Sequence, residues 1–309
     1  MSDAYRILVV GGTGFIGHHL LRAARDAGFE CTSLSLNPPS AARSVTGVRY
    51  LRANLSHRPS LEDLFAKEDF EFVVNLGGYV DHKPILEGGI EVIETHFSGL
   101  NNLVDVLRRD RLLRFVQVGS SDEYGDVVSP QREEERERPI SPYSLSKVAC
   151  THMVQMLHKT EQFPGVILRL YLVYGQGQST QRFLPQIIAG CLENKNYPVS
   201  KGGQLRDFCH VSDVVKAILC SLHAPNVAGE VINVASGRPV TIKEVIERVQ
   251  ALVGSGEAQF GAIPYRKGES MALFGNCDKA RRLLGWNSEI GFEEGLTDTI
   301  NWYKTEYEQ

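Results

Sequence analysis

The segment Gly11-Gly12-Thr13-Gly14-Phe15-Ile16-Gly17 constrains the fold of this chain more than any other. It follows the apolar run Ile7-Leu8-Val9-Val10 and opens into His18-His19-Leu20-Leu21-Arg22-Ala23-Ala24, patterned as an amphipathic helix. Strand, glycine-rich turn and helix in that order make a cradle for phosphates. Gly11 permits the tight turn, Gly14 lets backbone N–H groups approach a pyrophosphate, and Gly17 lets the helix pack close to the sheet. The phosphates then meet a helix N-terminus, where unpaired N–H donors and the dipole favour negative charge. Thr13, Phe15 and Ile16 complete the turn, which predicts dinucleotide binding at the first strand–helix junction of an α/β chain.

Strand-like runs alternate with helical patterns through the first half. Strands are predicted at 7–10, 31–36, 48–51, 72–76, 115–118 and 166–171, and helices at 14–27, 61–67, 88–109 and 142–160. Such alternation implies a doubly wound parallel sheet of Rossmann type, covered on both faces. Past Tyr174 the pattern shifts to helices with isolated short strands, among them 231–234. The expected division is a dinucleotide-binding domain at 1–174, with returns from the C-terminal half, and a mainly substrate-binding lobe at 175–309 that closes over the strand ends.

With 309 residues, the chain buries enough surface to need no disulfide or metal for its core. A net charge of -4 without a basic stripe argues against a nucleic-acid surface. The six cysteines are scattered without close pairs and read as reduced core thiols. No apolar run is long enough to span a membrane, and the early first strand leaves no room for a signal peptide, so a cytoplasmic location is expected. The nine histidines form no cluster at metal-ligand spacing, and no metal is expected. The charged run from Arg132 to Arg138, between Pro130 and Pro139, reads as a solvated loop without a function.

Tyr143-Ser144-Leu145-Ser146-Lys147 places a phenol and an ammonium four residues apart, on one helix face. A free tyrosine has a pKa of about 10, too high for a base at neutral pH. A neighbouring lysine and a nicotinamide ring are both expected to lower it. Tyr143 then takes a proton from a substrate hydroxyl or returns one to a carbonyl. Ser120, after the strand at 115–118, is placed to hold the reacting oxygen; its alternative is to cap a turn, as is that of Ser121.

These residues resemble the extended short-chain dehydrogenase/reductases, which act on nucleotide-linked sugars. The resemblance runs through the glycine turn, Asn75-Leu76-Gly77-Gly78, the set Ser120, Tyr143 and Lys147, Arg169-Leu170-Tyr171-Leu172-Val173-Tyr174-Gly175, Leu205-Arg206-Asp207-Phe208 and Tyr265-Arg266-Lys267-Gly268-Glu269. It implies that Asn54, Leu55, Leu76, Gly77 and Gly78 also line the cofactor, that Lys147 holds the nicotinamide ribose, and that Ser121 and Asp122 touch the sugar. Arg206 and Arg266 are implied to clamp the substrate diphosphate; the alternative for each is a surface ion pair. A homodimer is implied as well, packed through the helices at 88–109 and 142–160, with Leu100, Leu103, Val104, Val154 and Leu157 either at that contact or buried against the chain's own sheet.

Several positions depart from the family pattern. NAD-specific members end the second strand with an acidic residue, whereas this chain has Leu34-Ser35-Leu36-Asn37. With Asn37 there and Arg43 in the following loop, NADP(H) is favoured and NAD(H) remains possible. Leu172 and His96 stand where asparagines are usual; His96 is expected to make a structural backbone contact. Dehydratases carry Thr-Asp-Glu or Thr-Ser-Glu at the strand end, but here the carboxylates of Ser120-Ser121-Asp122-Glu123 are offset. The best match is a reductase of the 4-keto group of a nucleotide-linked deoxysugar, with a 4-epimerase as the alternative, a dehydratase behind it, and a non-enzymatic redox sensor as a different class.

Overall fold

A computed structural model describes residues 4–265 and 269–307. Its first half runs β1 (Arg6–Val10), α1 (Phe15–Asp26), β2 (Glu30–Ser35), β3 (Arg49–Arg52), α2 (Arg58–Phe65), β4 (Phe72–Asn75), α3 (Gly89–Ile93), α4 (Gly99–Val106), β5 (Arg114–Ser120), α5 (Pro142–Glu161) and β6 (Gly165–Leu170). A π turn at Glu94–Ser98 joins α3 to α4. The remainder runs β7 (Leu172–Tyr174), α6 (Phe183–Leu192), β8 (Asn196–Val199), β9 (Leu205–Arg206), β10 (Phe208–His210), α7 (Val211–His223), β11 (Val231–Val234), β12 (Val240–Thr241), α8 (Ile242–Val253), β13 (Glu257–Phe260), β14 (Ala272–Leu273), α9 (Asp278–Leu284) and α10 (Phe292–Tyr307).

Seven strands pair in the order β11-β6-β5-β4-β1-β2-β3, every pairing parallel. Strand order reverses between β1 and β4, and in an open α/β sheet the crevice outside the strand ends at that point takes the ligand. Side chains alternate across the sheet: Ile7 and Val9 pack with Leu20, Leu21, Val214 and Ile218 from α1 and α7, while Leu8 and Val10 pack with Leu61, Leu100 and Leu103 from α2 and α4. With both faces covered, β1, β4, β5 and β6 are nearly continuous apolar runs, as parallel sheets require.

This packing corrects the expected contact between two copies. Leu100, Leu103 and Val154 are completely buried in the layer beneath the sheet, along with Val104 and Leu157. An apolar helical stripe reports a buried face without saying what covers it, and here the chain's own β-strands do. The exposed apolar residues of the same helices are Ile90, Phe97, Leu145 and Met156.

After Tyr174 the chain divides its elements. Strand β11 completes the large sheet beside β6, and α7 and α9 pack on its face with Trp286. Helices α6, α8 and α10 enclose a separate core of Leu184, Ile188, Val245, Val249, Leu296 and Ile300, next to the short pairings β8–β13 and β9 with β12 and β14. Among the described residues no helix is long and apolar enough to cross a membrane.

Candidate active site

The glycine turn closes as its spacing demands. Gly11 has φ of +80°, where a side chain is strained, and its N–H reaches Leu34 O at 2.8 Å. A Cβ on Gly17 would overlap Gly11 O and the Gly12 backbone, so α1 packs here only without one. Gly14 is the N-cap of α1 and offers no side chain, leaving first-turn N–H groups for a ligand. The His18 ring donates from Nδ1 to Gly14 O at 3.1 Å, which stiffens the turn, and burial and the neighbouring His19 push its pKa down to about 4.

Other expected cofactor residues border this turn unevenly. Leu76 donates its N–H to Val10 O at 3.0 Å, and Gly77 to Asn75 Oδ1 at 3.0 Å. Gly78 has φ of +108° and lies against the His96 ring. The Leu55 side chain packs against Gly77 and Gly99, while Asn54 closes a local turn by accepting from Ser56 N. Arg43 donates to Thr13 O at 3.3 Å and to Gly177 O at 2.8 Å, so its guanidinium sits over the turn. Asn37 is exposed, two residues beyond the end of β2. On β2, the Ser33 side chain lies against Gly12, and the Ser35 Oγ accepts from Thr13 N at 3.3 Å. Sequence reasoning passed over Ser35, although it is the final residue of that strand.

Ser120 ends β5 and caps the turn Ser121–Tyr124, its Oγ accepting from Asp122 N at 3.1 Å. Capping uses an acceptor lone pair of Ser120 and leaves its hydroxyl able to donate, so the two readings of Ser120 are compatible. Ser141 and Ser144 form a capping box around Pro142, with Ser144 N donating to Ser141 Oγ at 3.1 Å, and Tyr143 is thereby fixed in the first turn of α5. Lys147 lies one turn on, with Nζ 5.7 Å from the Tyr143 ring centroid.

The protein's own groups raise the Tyr143 pKa, and the lowering expected of Lys147 is not found among them. Burial comes first and the Asp122 carboxylate second, both disfavouring phenolate. Lys147 donates to Val118 O at 3.0 Å rather than to the phenol, and burial pulls its own pKa down. His96 makes the expected backbone contact, donating from Nε2 to Tyr79 O at 2.9 Å. Its ring stacks edgewise 5.4 Å from Tyr143, and burial with the Lys147 charge pushes its pKa down to about 3, so it stays neutral.

Beyond Tyr143 is a charged group that the sequence only half revealed. Asp122 Oδ2 lies 3.6 Å from His82 Nε2, and the His82 ring stands edge-on to Tyr143 at 5.4 Å. Burial raises the Asp122 pKa, opposed by His82, Arg206 and Arg182. Arg206 pairs with Glu269 and donates to Leu205 O at 2.9 Å. Ser121 is buried at the start of its turn, and Arg266 lies outside the described residues. His82 and Arg182 were missed because each comes from a segment far from Asp122 in the chain, and Glu269 was read only as a neighbour of Arg266.

The charged run at 132–138 also needs correcting, since it is anchored. Glu137 Oε1 lies 2.5 Å from the fully buried Arg169, and Glu133 accepts the Asn233 N–H at 2.9 Å. Asp207 accepts from Ser236 N at 2.7 Å and Gly237 N at 2.9 Å, so it holds a loop rather than a ligand.

A parallel sheet with a phosphate cradle at its switch point, and a serine, tyrosine and lysine gathered beside it, define an extended dinucleotide-binding α/β enzyme. Residues 7–235 match the NAD dependent epimerase/dehydratase family, well over half of the chain, and the protein belongs to that family of nucleotide-sugar-modifying enzymes. It is 27% identical over 315 residues to a dTDP-glucose 4,6-dehydratase of Streptomyces niveus, covering 97% of this chain and 93% of the relative. Among solved structures it resembles MoeE5 in complex with UDP-glucuronic acid and NAD, with TM-score 0.88, 26% identity and coverage of 97% and 99% of the two chains. It also resembles the UDP-glucose 4-epimerase of Thermus thermophilus in complex with NAD, with TM-score 0.85, 26% identity and the same coverage.

Proposed function

We propose that this protein is an NADPH-dependent reductase of the 4-keto group of a nucleotide-linked deoxysugar. One observation sets this reading apart from a dehydratase. Of the two carboxylates that follow β5, Glu123 is turned inward onto Arg169 and Thr151, leaving Asp122 alone beside Tyr143. The strand end therefore offers machinery for moving one proton at a carbonyl oxygen, not the pair of carboxylates that would help to expel water.

The glycine turn, the uncapped first turn of α1 and Lys147 fit a nicotinamide dinucleotide, which supplies the hydride when bound. Ser35 in place of a carboxylate, with Arg43 over Thr13, fits a cofactor bearing a 2′-phosphate. Ser120 holds the carbonyl oxygen by its hydroxyl, and Tyr143 donates the proton as negative charge develops there. Lys147 keeps positive charge near the resulting phenolate. Arg206 takes the diphosphate, exchanging Glu269 for it. The elements around α6 and α8 shape the sugar pocket, and the working form is a homodimer in the cytoplasm.

Screening 4-keto nucleotide sugars with NADPH and NADH, following absorbance of the reduced ring, tests this reading. Turnover with NADPH is expected. A protein that purifies with NAD tightly held and consumes no reduced cofactor with any such sugar would instead be a 4-epimerase, the reading supported by the NAD complex of the Thermus enzyme.

A further inference from the structure

Behind Ser120 lies a buried carboxylate with more partners than a turn requires. Glu123 is completely buried. Its Oε1 accepts the Ser120 N–H at 2.9 Å; its Oε2 accepts the Thr151 hydroxyl at 2.7 Å and Arg169 Nε at 2.9 Å. Arg169 is itself completely buried, lies 4.5 Å over the Tyr124 ring, and continues to Glu137, whose other oxygen is 3.4 Å from His152 at the surface. A Cβ on Gly119 would stand 2.5 Å from Glu123 Oε1, so the strand residue before Ser120 is a glycine in order to admit this carboxylate. Thr151 is one helical turn beyond Lys147 on α5, which brings the carboxylate to the same helix face as the ammonium. Stabilising a loop would not call for a buried ion pair, because such pairs seldom add net stability over apolar packing.

We propose that Glu123 is a positioning residue for catalysis: held by Arg169 and Thr151, it fixes the backbone of Ser120 and sets a negative charge on the α5 face that carries Lys147. The inference rests on the assignment of Ser120, Tyr143 and Lys147 as the proton-transfer set, and it adds a second layer that sets their charge. The charged and titratable groups around them are Arg169, Tyr124, Glu137, Cys150, His96, Asp122, His82 and Arg182. Glu123 raises the pKa of both Tyr143 and Lys147, since its charge disfavours phenolate and favours ammonium.

Glu123→Gln keeps the shape and an acceptor for the Ser120 N–H but removes the charge. In the full-length protein, kcat is expected to fall about 10- to 100-fold with KM nearly unchanged, and the high-pH limb of the pH–rate profile moves to lower pH, since Tyr143 and Lys147 must both be protonated for reduction. Glu123→Asp, which keeps the charge, returns the profile to its original position. A variant with wild-type kcat, or one whose kcat falls at every pH without displacement of the high-pH limb, overturns the proposal. NADPH binding followed by fluorescence across pH gives a reading independent of the sugar. Because Lys147 must be charged to hold the ribose, affinity is expected to be lost at lower pH in Glu123→Gln than in the wild type. An unchanged midpoint rejects the role of Glu123 even if every 4-keto sugar fails as a substrate. A displaced midpoint without turnover of any sugar supports Glu123 and rejects only the reductase reading.

Discussion

Tyr143 is kept protonated by its surroundings, which suits an acid better than a base. Burial and the Asp122 carboxylate both raise its pKa, so a proton is available for a carbonyl oxygen throughout the neutral range. The sign is testable. Removing the Asp122 charge makes phenolate easier to form, and Asp122→Asn is expected to bring the high-pH loss of reductive kcat to lower pH. Tyr143→Phe removes the proton itself: turnover should fall by roughly 10²- to 10⁴-fold while NADPH affinity, measured by fluorescence titration, changes only a few-fold. A redox sensor would keep its ligand response in that variant, and this separates it from an enzyme. Near Tyr143, the phenol–ammonium spacing was readable from the sequence because it is local to one helix. The carbonyl that accepts from Lys147 was not readable, because Val118 comes from a strand that only the fold brings alongside.

Helix starts carry different chemistry at α1 and α5. Helix α1 begins at a glycine with no capping side chain, while α5 begins with Ser141 and Ser144 bonded reciprocally around Pro142. An uncapped start keeps donors for phosphates, and a capped one fixes the residue in its first turn, which here is Tyr143. Ser141→Ala is expected to cost about 1 kcal/mol in urea unfolding and to lower kcat as the first turn frays. Loss of stability with full kcat would show that the cap does not hold Tyr143 in place. The strands and helices themselves were largely legible: the strand at 231–234 falls where its pattern placed it, and most other ends moved by only one or two residues. The helix predicted at 88–109 is interrupted by a π turn around His96, a distortion that periodicity does not register.

At the scale of the molecule, α3, the π turn and α5 each keep large apolar side chains exposed after the sheet has claimed its share. Ile90 is 48% exposed, Phe97 37%, Leu145 48% and Met156 47%. A dimer packed through these helices would cover exposed apolar side chains of this kind. Light scattering at micromolar concentration is expected to give twice the chain mass, and Phe97→Asp with Met156→Asp to give the monomer with its thermal transition retained. A wild-type monomer under those conditions rules out the dimer. Helical periodicity identified apolar positions on both helices, but it could not assign Leu100 and Val154 to the core and Phe97 and Met156 to the outer surface.

What the sequence determined by itself was whatever depends on neighbours in the chain: the glycine turn, the parallel sheet implied by alternating strand and helix patterns, the Tyr143–Lys147 spacing and the serine at a strand end. The tertiary structure decided how distant segments meet. It brought Ser35 rather than Asn37 to the phosphate turn, set His82 beside Asp122, and turned Glu123 onto Arg169 while Asp122 stayed next to Tyr143. The physical reason is range. Steric and hydrogen-bonding preferences act over a few residues and leave a pattern, whereas the partner of a buried charge is chosen by packing among segments that the pattern does not order.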